Sequence, residues 1–216
     1  MTTNGHAPQA VQINRPYKFA AKDTDHYNCR VKGGNWKTIS SERHFADRNL
    51  EVVTDRVQTP AHPDPRAWTI VHRKAAVVVA PMTNEEKIIL IRQERIPIGQ
   101  AIWEMPSGQI DDHNADEEKI RDTALRELRE ETGLLSQDWT KLGDVQVMNG
   151  TANHQASVFL AENVDDSGIR IQEKEGITSV YKVAFNRVFN MIKAGELSHS
   201  ESIMSITLAA LFLRKL

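Results

Sequence analysis

Glu127, Glu130 and Glu131 place three carboxylates near the end of one predicted helix, in the run Arg126-Glu127-Leu128-Arg129-Glu130-Glu131-Thr132-Gly133-Leu134. Side chains three and four apart on a helix are neighbours, with Cβ atoms roughly 5–6 Å apart, so these acids can converge on one small volume. Ile120, Ala124 and Leu128 recur at helical spacing on a different face and can pack on a core. Anions held so close repel unless something positive lies between them. Magnesium or manganese suits that place, because hard cations take carboxylate, carbonyl and water oxygens. Gly133 stands where a C-terminal glycine stops a helix.

Two other readings compete for the same residues. A glutamate-rich helix flanked by arginines is also what a solvated face looks like; the Pro106-Ser107-Gly108 turn leading into it goes beyond what a plain surface helix requires. Asp112, Asn114 and Asp116 alternate as in an EF-hand loop, but its sixth position is Glu117 rather than glycine and its twelfth is Thr123 rather than glutamate. These acids serve better as a helix start: Asn114 followed by Glu117 has capping-box spacing, and acids favour a helix N-terminus.

The rest of the chain must position that helix. With 216 residues, 40% of them hydrophobic and 26% charged, it can bury a full core and is not wholesale disordered. A net charge of −2 with mixed signs gives no footprint for nucleic acid or an anionic membrane. One cysteine, Cys29, rules out an internal disulfide and a thiolate cluster and fits a cytoplasmic setting. No apolar run reaches membrane-spanning length, and the first residues lack the regions of a signal peptide. Residues 1–35 are polar and aperiodic, an arm that is mobile or lies on a neighbour. Trp36–Ser40, Leu50–Val57 and Trp68–His72 read as strands, with Thr59–Pro65 as a turn-rich break. Ala75–Ala80 is a continuous apolar run typical of a buried central strand, and Lys87–Gln93 follows it. Leu142–Met148, Ala156–Leu160 and Ser179–Val183 are further strands; Phe185–Lys193 and Ser202–Lys215 are helices. The whole suggests an α+β sandwich.

The helix and its lead-in resemble the Nudix box, Gly-x5-Glu-x7-Arg-Glu-U-x-Glu-Glu-x-Gly-U with U bulky and apolar. Arg126, Glu127, Leu128, Glu130, Glu131, Gly133 and Leu134 match its second half without a gap. Counting back puts Glu118 at the first glutamate and leaves Gly108 four residues too far upstream, an insertion within Gln109–Glu117. From Trp36 onward, Ile91-Arg-Gln-Glu-Arg95, Trp103-Glu-Met-Pro-Ser-Gly108 and Gly195-Glu-Leu before a last helix resemble the ADP-ribose pyrophosphatase-like branch. The resemblance implies a Nudix fold, a mixed β-sheet sandwiched between helices with an N-terminal β extension. It divides the chain into an arm (1–35), N-terminal strands that dimerise and help complete the substrate pocket (36–73), and the hydrolase domain (74–216).

The implied activity is Mg²⁺-dependent cleavage of ADP-ribose to AMP and ribose 5-phosphate, with Mn²⁺ as the alternative metal. Water attacking an already negative phosphorus needs cations that screen charge, lower the pKa of the water and stabilise the leaving phosphate; two ions roughly 3.5–4 Å apart supply all three. By similarity Glu127, Glu131 and the Ser107 carbonyl hold metal, Glu130 is a ligand or supports one, and Arg126 orients the glutamates. Late-loop Glu173 is assigned as general base and Glu175 as a metal contact. Arg95 would meet the nucleotide or its diphosphate, or else form a surface ion pair. Glu104 would bond the nucleotide or stiffen its loop, and Trp103 would stack on a base or sit in the core. Gly108 lines the pocket, and His154 contacts substrate or caps a strand end. A homodimer is implied. GDP-mannose or UDP-glucose remain alternative substrates, and a non-catalytic nucleotide-sugar sensor is the alternative from outside the enzymes.

Overall fold

The computed structural model describes residues 36–112, 114–166 and 176–215. From the amino end come β1 (Lys37–Ala46), β2 (Leu50–Thr59), β3 (His62–Arg73), β4 (Ala76–Pro81), β5 (Lys87–Arg95), β6 (Gln100–Glu104) and β7 (Ser107–Gln109). Helix α1 (Glu117–Thr132) follows, then β8 (Leu134–Leu135), β9 (Asp138–Val147), β10 (Ala152–Glu162), β11 (Asp165–Asp166) and β12 (Ile177–Ala184), and last α2 (Phe185–Lys193) and α3 (Ser200–Phe212).

Strand β4 explains the unbroken apolar run. It pairs parallel with β10, Ala76 opposite Ala156 through Pro81 opposite Ala161, and antiparallel with β7. Successive side chains leave a strand on opposite faces, so a strand covered on both sides must be apolar at every position. Val77 and Val79 join Ile89, Phe159, Ala124 and Leu128 beneath α1. Val78 and Ala80 join Leu90, Val188, Met191, Ile206 and Ala209 beneath α2 and α3. The sheet is mixed and the helices cover both faces, the α+β sandwich read from the sequence. A second antiparallel sheet, ordered β12-β5-β6, carries the chain from the core out to Arg95 and back to Glu104.

Strands β1, β2 and β3 form an antiparallel extension, joined to β10 only through Val71 and His72 of β3. The expected break at Thr59–Pro65 is shorter than its composition suggests. Only Pro60 and Ala61 turn, and Pro63 and Pro65 lie inside β3. There β3 has a single partner, β2, so a residue without an N–H costs the sheet no hydrogen bond on the open side.

Two local readings change around α1. Asp116, not Asn114, is the N-cap: its carboxylate accepts the Lys119 N–H at 3.0 Å, one residue before the helix begins. Ser107-Gly108 is not a turn but part of a short strand, because β4 offers it a free edge. Gly133 does end α1, at φ 74° with its N–H donating to the Arg129 carbonyl. Among the described residues no helix is long and apolar enough to cross a membrane.

Candidate active site

Helix α1 docks on β7 through its acids. Glu127 and Glu131 are buried, while Glu130, between them in sequence, has a half-exposed side chain. Glu131 Oε2 accepts the Ser107 N–H at 2.8 Å. Glu127 lies across Gly108 so closely that a Cβ there would stand 2.0 Å from its Cδ and Oε1. Arg126 forks between two of the three acids, donating from Nη2 to Glu127 at 2.5 Å and from Nη1 to Glu130 at 2.7 Å. Burial works against the charge of Arg126, but Glu127 and Glu130 outweigh it and raise its pKa. Two acids thus face inward, and the third turns out with the arginine. The expected convergence of all three is not what α1 presents: among the described residues no three acidic, histidine or cysteine side chains gather closely enough to hold a metal ion.

The inward acids share a cavity of about 330 Å³ with Gln93, Arg95, Ser107, Gly108, Gln109, Asp111 and Arg126. Arg95, at the end of β5, gives two parallel hydrogen bonds to Glu104 at the end of β6: Nε to Oε1 at 2.7 Å and Nη2 to Oε2 at 2.6 Å. These bonds are the main reason its pKa is raised, against an opposing effect of burial. Glu104 is wholly buried and Arg95 is not, with 37% of its side chain exposed. Of the two sequence readings of Glu104, its position fits the stiffening one, and Arg95 is the member of the pair that reaches the cavity.

Other expected residues lie elsewhere. Trp103 packs edge-on against Tyr181, 4.9 Å between ring centroids, beneath the Arg92 guanidinium and against the core, and it does not line the cavity. His154 is buried on β10 with Nδ1 2.9 Å from the Lys74 carbonyl oxygen, also away from the cavity. Burial, then Arg73, pushes its pKa down, so the ring is neutral at pH 7. Glu173 and Glu175 lie outside the described residues. Glu118 is exposed on the first turn of α1, and Glu117 beside it pairs with Lys141 at 3.0 Å. Between β7 and α1, Ile110 anchors in the core and Asp112 holds Lys119. Gly108 stays under Glu127 despite the longer spacing. Sequence reasoning misses Gln93, Gln109 and Asp111; alternation with Arg95 along β5 would mark Gln93, and no sequence signal marks the other two.

The residues present suit a hard divalent cation. Their inward donors are carboxylate oxygens one helical turn apart, two buried like charges that a cation between them would stabilise. Gly108 keeps the space a Cβ would fill for Glu127. Gly108→Ala tests this. A carboxylate end can swing aside, so the protein is expected to melt within about 4 °C of wild type. Displacing Glu127 should still lower hydrolysis about 100-fold, the usual effect of a misplacement near 1 Å. Unchanged activity would mean that Glu127 does not need this seat.

Residues 72–203 match the family model of the NUDIX domain, and the chain belongs to that family. It is a Nudix hydrolase, similar to ADP-ribose pyrophosphatases. An ADP-ribose pyrophosphatase of Bacillus subtilis is 29% identical to it over 172 residues, 79% of this chain and 90% of that protein. One of Mycobacterium tuberculosis is 31% identical over 134 residues, 62% of this chain and 63% of that protein. A methanol dehydrogenase activator of Bacillus methanolicus is 27% identical over 172 residues, 79% of this chain and 90% of that protein. In structure the chain is similar to an ADP compounds hydrolase, with a TM-score of 0.70 at 16% identity over 86% of this chain and 98% of the other, a likeness of fold.

Proposed function

We propose that this Nudix hydrolase cleaves the diphosphate bridge of ADP-ribose, releasing AMP and ribose 5-phosphate, with Mg²⁺ as its metal. The observation that carries the reading is one cavity in which two buried carboxylates of α1 face the partly exposed guanidinium of Arg95. An anionic diphosphate needs both: a cation held by acids, and a fixed donor for its oxygens. Glu127, Glu131 and the Ser107 carbonyl would hold the cation, which when bound screens charge and acidifies water. Arg126 keeps Glu127 oriented, and Arg95 binds phosphate oxygens with the N–H groups that Glu104 leaves over. Gly108 contributes its lack of a side chain. The roles of Glu173 as base and Glu175 as a further ligand rest on family resemblance, as does a supporting role for Glu130. Trp103 and His154 lie outside the cavity lining, Trp103 packed against the core and His154 beside the Lys74 carbonyl.

Incubating purified protein with ADP-ribose, GDP-mannose and UDP-glucose, each with Mg²⁺, Mn²⁺ or EDTA, tests the proposal. Metal-dependent release of AMP fastest from ADP-ribose is expected. Faster turnover of another nucleotide sugar would reassign the substrate, and tight binding without turnover of any would make the protein a sensor.

The strands 36–73 are proposed as the dimerisation unit. Trp36, Ile39, Phe45 and Trp68 are all about half exposed on them, apolar area that a second copy would cover. Light scattering should give twice the 24.4 kDa chain mass; a monomer at micromolar concentration would end this part of the reading. The single cysteine supports a cytoplasmic location, which cell fractionation checks.

A further inference from the structure

Behind the Arg95–Glu104 pair, on the side away from the cavity, stands the start of α3. His199, its N-cap residue, has Nδ1 2.8 Å from Ser202 Oγ and 3.4 Å from Glu104 Oε2, while Nε2 lies 3.1 Å from Glu201 Oε2. Ser202 is wholly buried and its Oγ accepts the Met105 N–H at 2.7 Å, so it also fixes the backbone next to Glu104. The hydrogen positions follow from what each atom can do. A carboxylate only accepts, so Nε2 carries the proton toward Glu201. Nδ1 meets the Ser202 hydroxyl, whose oxygen takes the Met105 N–H.

We infer that His199, through Ser202 and Glu104, is a positioning residue that aims the Arg95 guanidinium into the cavity for an anionic diphosphate. The inference rests on the reading of the cavity as a diphosphate site. Bidentate pairing fixes a guanidinium only as well as the carboxylate itself is fixed, and Glu104, without exposure to water, has His199 and the Met105–Ser202 link as its support. Removing the imidazole opens space beside a buried carboxylate; Glu104 can then rotate, and the Arg95 fork loosens with it.

Three variants separate positioning from mere packing. His199→Asn keeps a polar atom near the place of Nδ1, His199→Gln reaches toward Glu201 instead, and His199→Ala keeps neither. With ADP-ribose and Mg²⁺, His199→Ala and His199→Gln should raise KM about tenfold with kcat within about twofold, and His199→Asn should stay near wild type. The second readout needs neither substrate nor metal: the Arg95 Nε–H resonance in a ¹H–¹⁵N spectrum. Its exchange with water should quicken about tenfold in His199→Ala and His199→Gln and stay within about twofold in His199→Asn. Wild-type protein that hydrolyses no nucleotide sugar would overturn the diphosphate reading alone, and the resonance would still decide the positioning role. An Arg95 signal that exchanges equally slowly in all three variants overturns that role, as does a loss confined to kcat. If His199→Ala fails to fold, His199→Gln against His199→Asn decides the same question.

Discussion

Glu131→Gln is expected to lower hydrolysis about 10³-fold, the several kcal/mol by which a well-held cation stabilises charge in the transition state. Glu118→Gln, on the exposed first turn of the same helix, should stay within about twofold of wild type, as a surface substitution does. The contrast has a geometric cause. Glu131 is 2% exposed and lines the cavity, and its carboxylate is tied to β7 through the Ser107 N–H. A glutamine can still accept that N–H, so the helix should remain docked and the loss should fall on the charge rather than on the fold. Glu127→Gln should behave similarly, and Glu130→Gln should lose much less, because its acid turns outward to Arg126. Initial rates at saturating Mg²⁺, with melting temperatures for each variant, provide the check. Equal and mild effects at 118, 127 and 131 would show the acids to be surface features and would remove the basis for a metal site here.

Arg95→Met is the second. It strands the Glu104 carboxylate at 0% exposure, and breaking a buried ion pair from one side costs about 3–5 kcal/mol. The lower figure applies, since Arg95 is more than a third exposed and water already screens the pair. A loss of about 3 kcal/mol lowers the melting temperature of a chain this size by roughly 6–12 °C. Glu104→Gln strands the guanidinium instead, and water can reach it, so its cost should be nearer to about 1–2 kcal/mol. The order of the two variants is the decisive measurement. If Glu104→Gln proved the more damaging, the pair would not be a buried carboxylate held by a cation at the cavity wall. Both variants should also bind nucleotide sugar more weakly, because Arg95 either disappears or loses its fixed direction.

Much of this molecule is written in local periodicities. The apolar run Ala75–Ala80 requires a strand covered on both faces, and β4 lies between α1 and the α2–α3 pair. Ile120, Ala124 and Leu128 mark the inner face of α1, and Gly133 marks its end. The arginine and glutamates of the box are legible because a helix repeats every few residues whatever surrounds it. Spacing alone favours Asn114 as the cap for a related reason: capping residues cluster near helix starts, and only backbone geometry chooses Asp116 over Asp112 and Asn114.

Which acids turn inward cannot be read the same way. Glu127, Glu130 and Glu131 are equivalent by type and spacing, and what separates them comes from β7, about twenty residues earlier: a missing Cβ at Gly108 and an available N–H at Ser107. Arg95 and Glu104 are nine residues apart on two strands, and their pairing depends on the turn between those strands and on α3 packing behind them. Trp103 is open to a base or, more readily, to the core until Tyr181 and Arg92 are placed around it. The amino-acid order by itself thus determined the family and the helix, since these rest on short-range patterns. Tertiary structure alone decided which carboxylates and which arginine meet in one cavity, since side chains distant along the chain compete for that space and burial admits only those whose charge is matched.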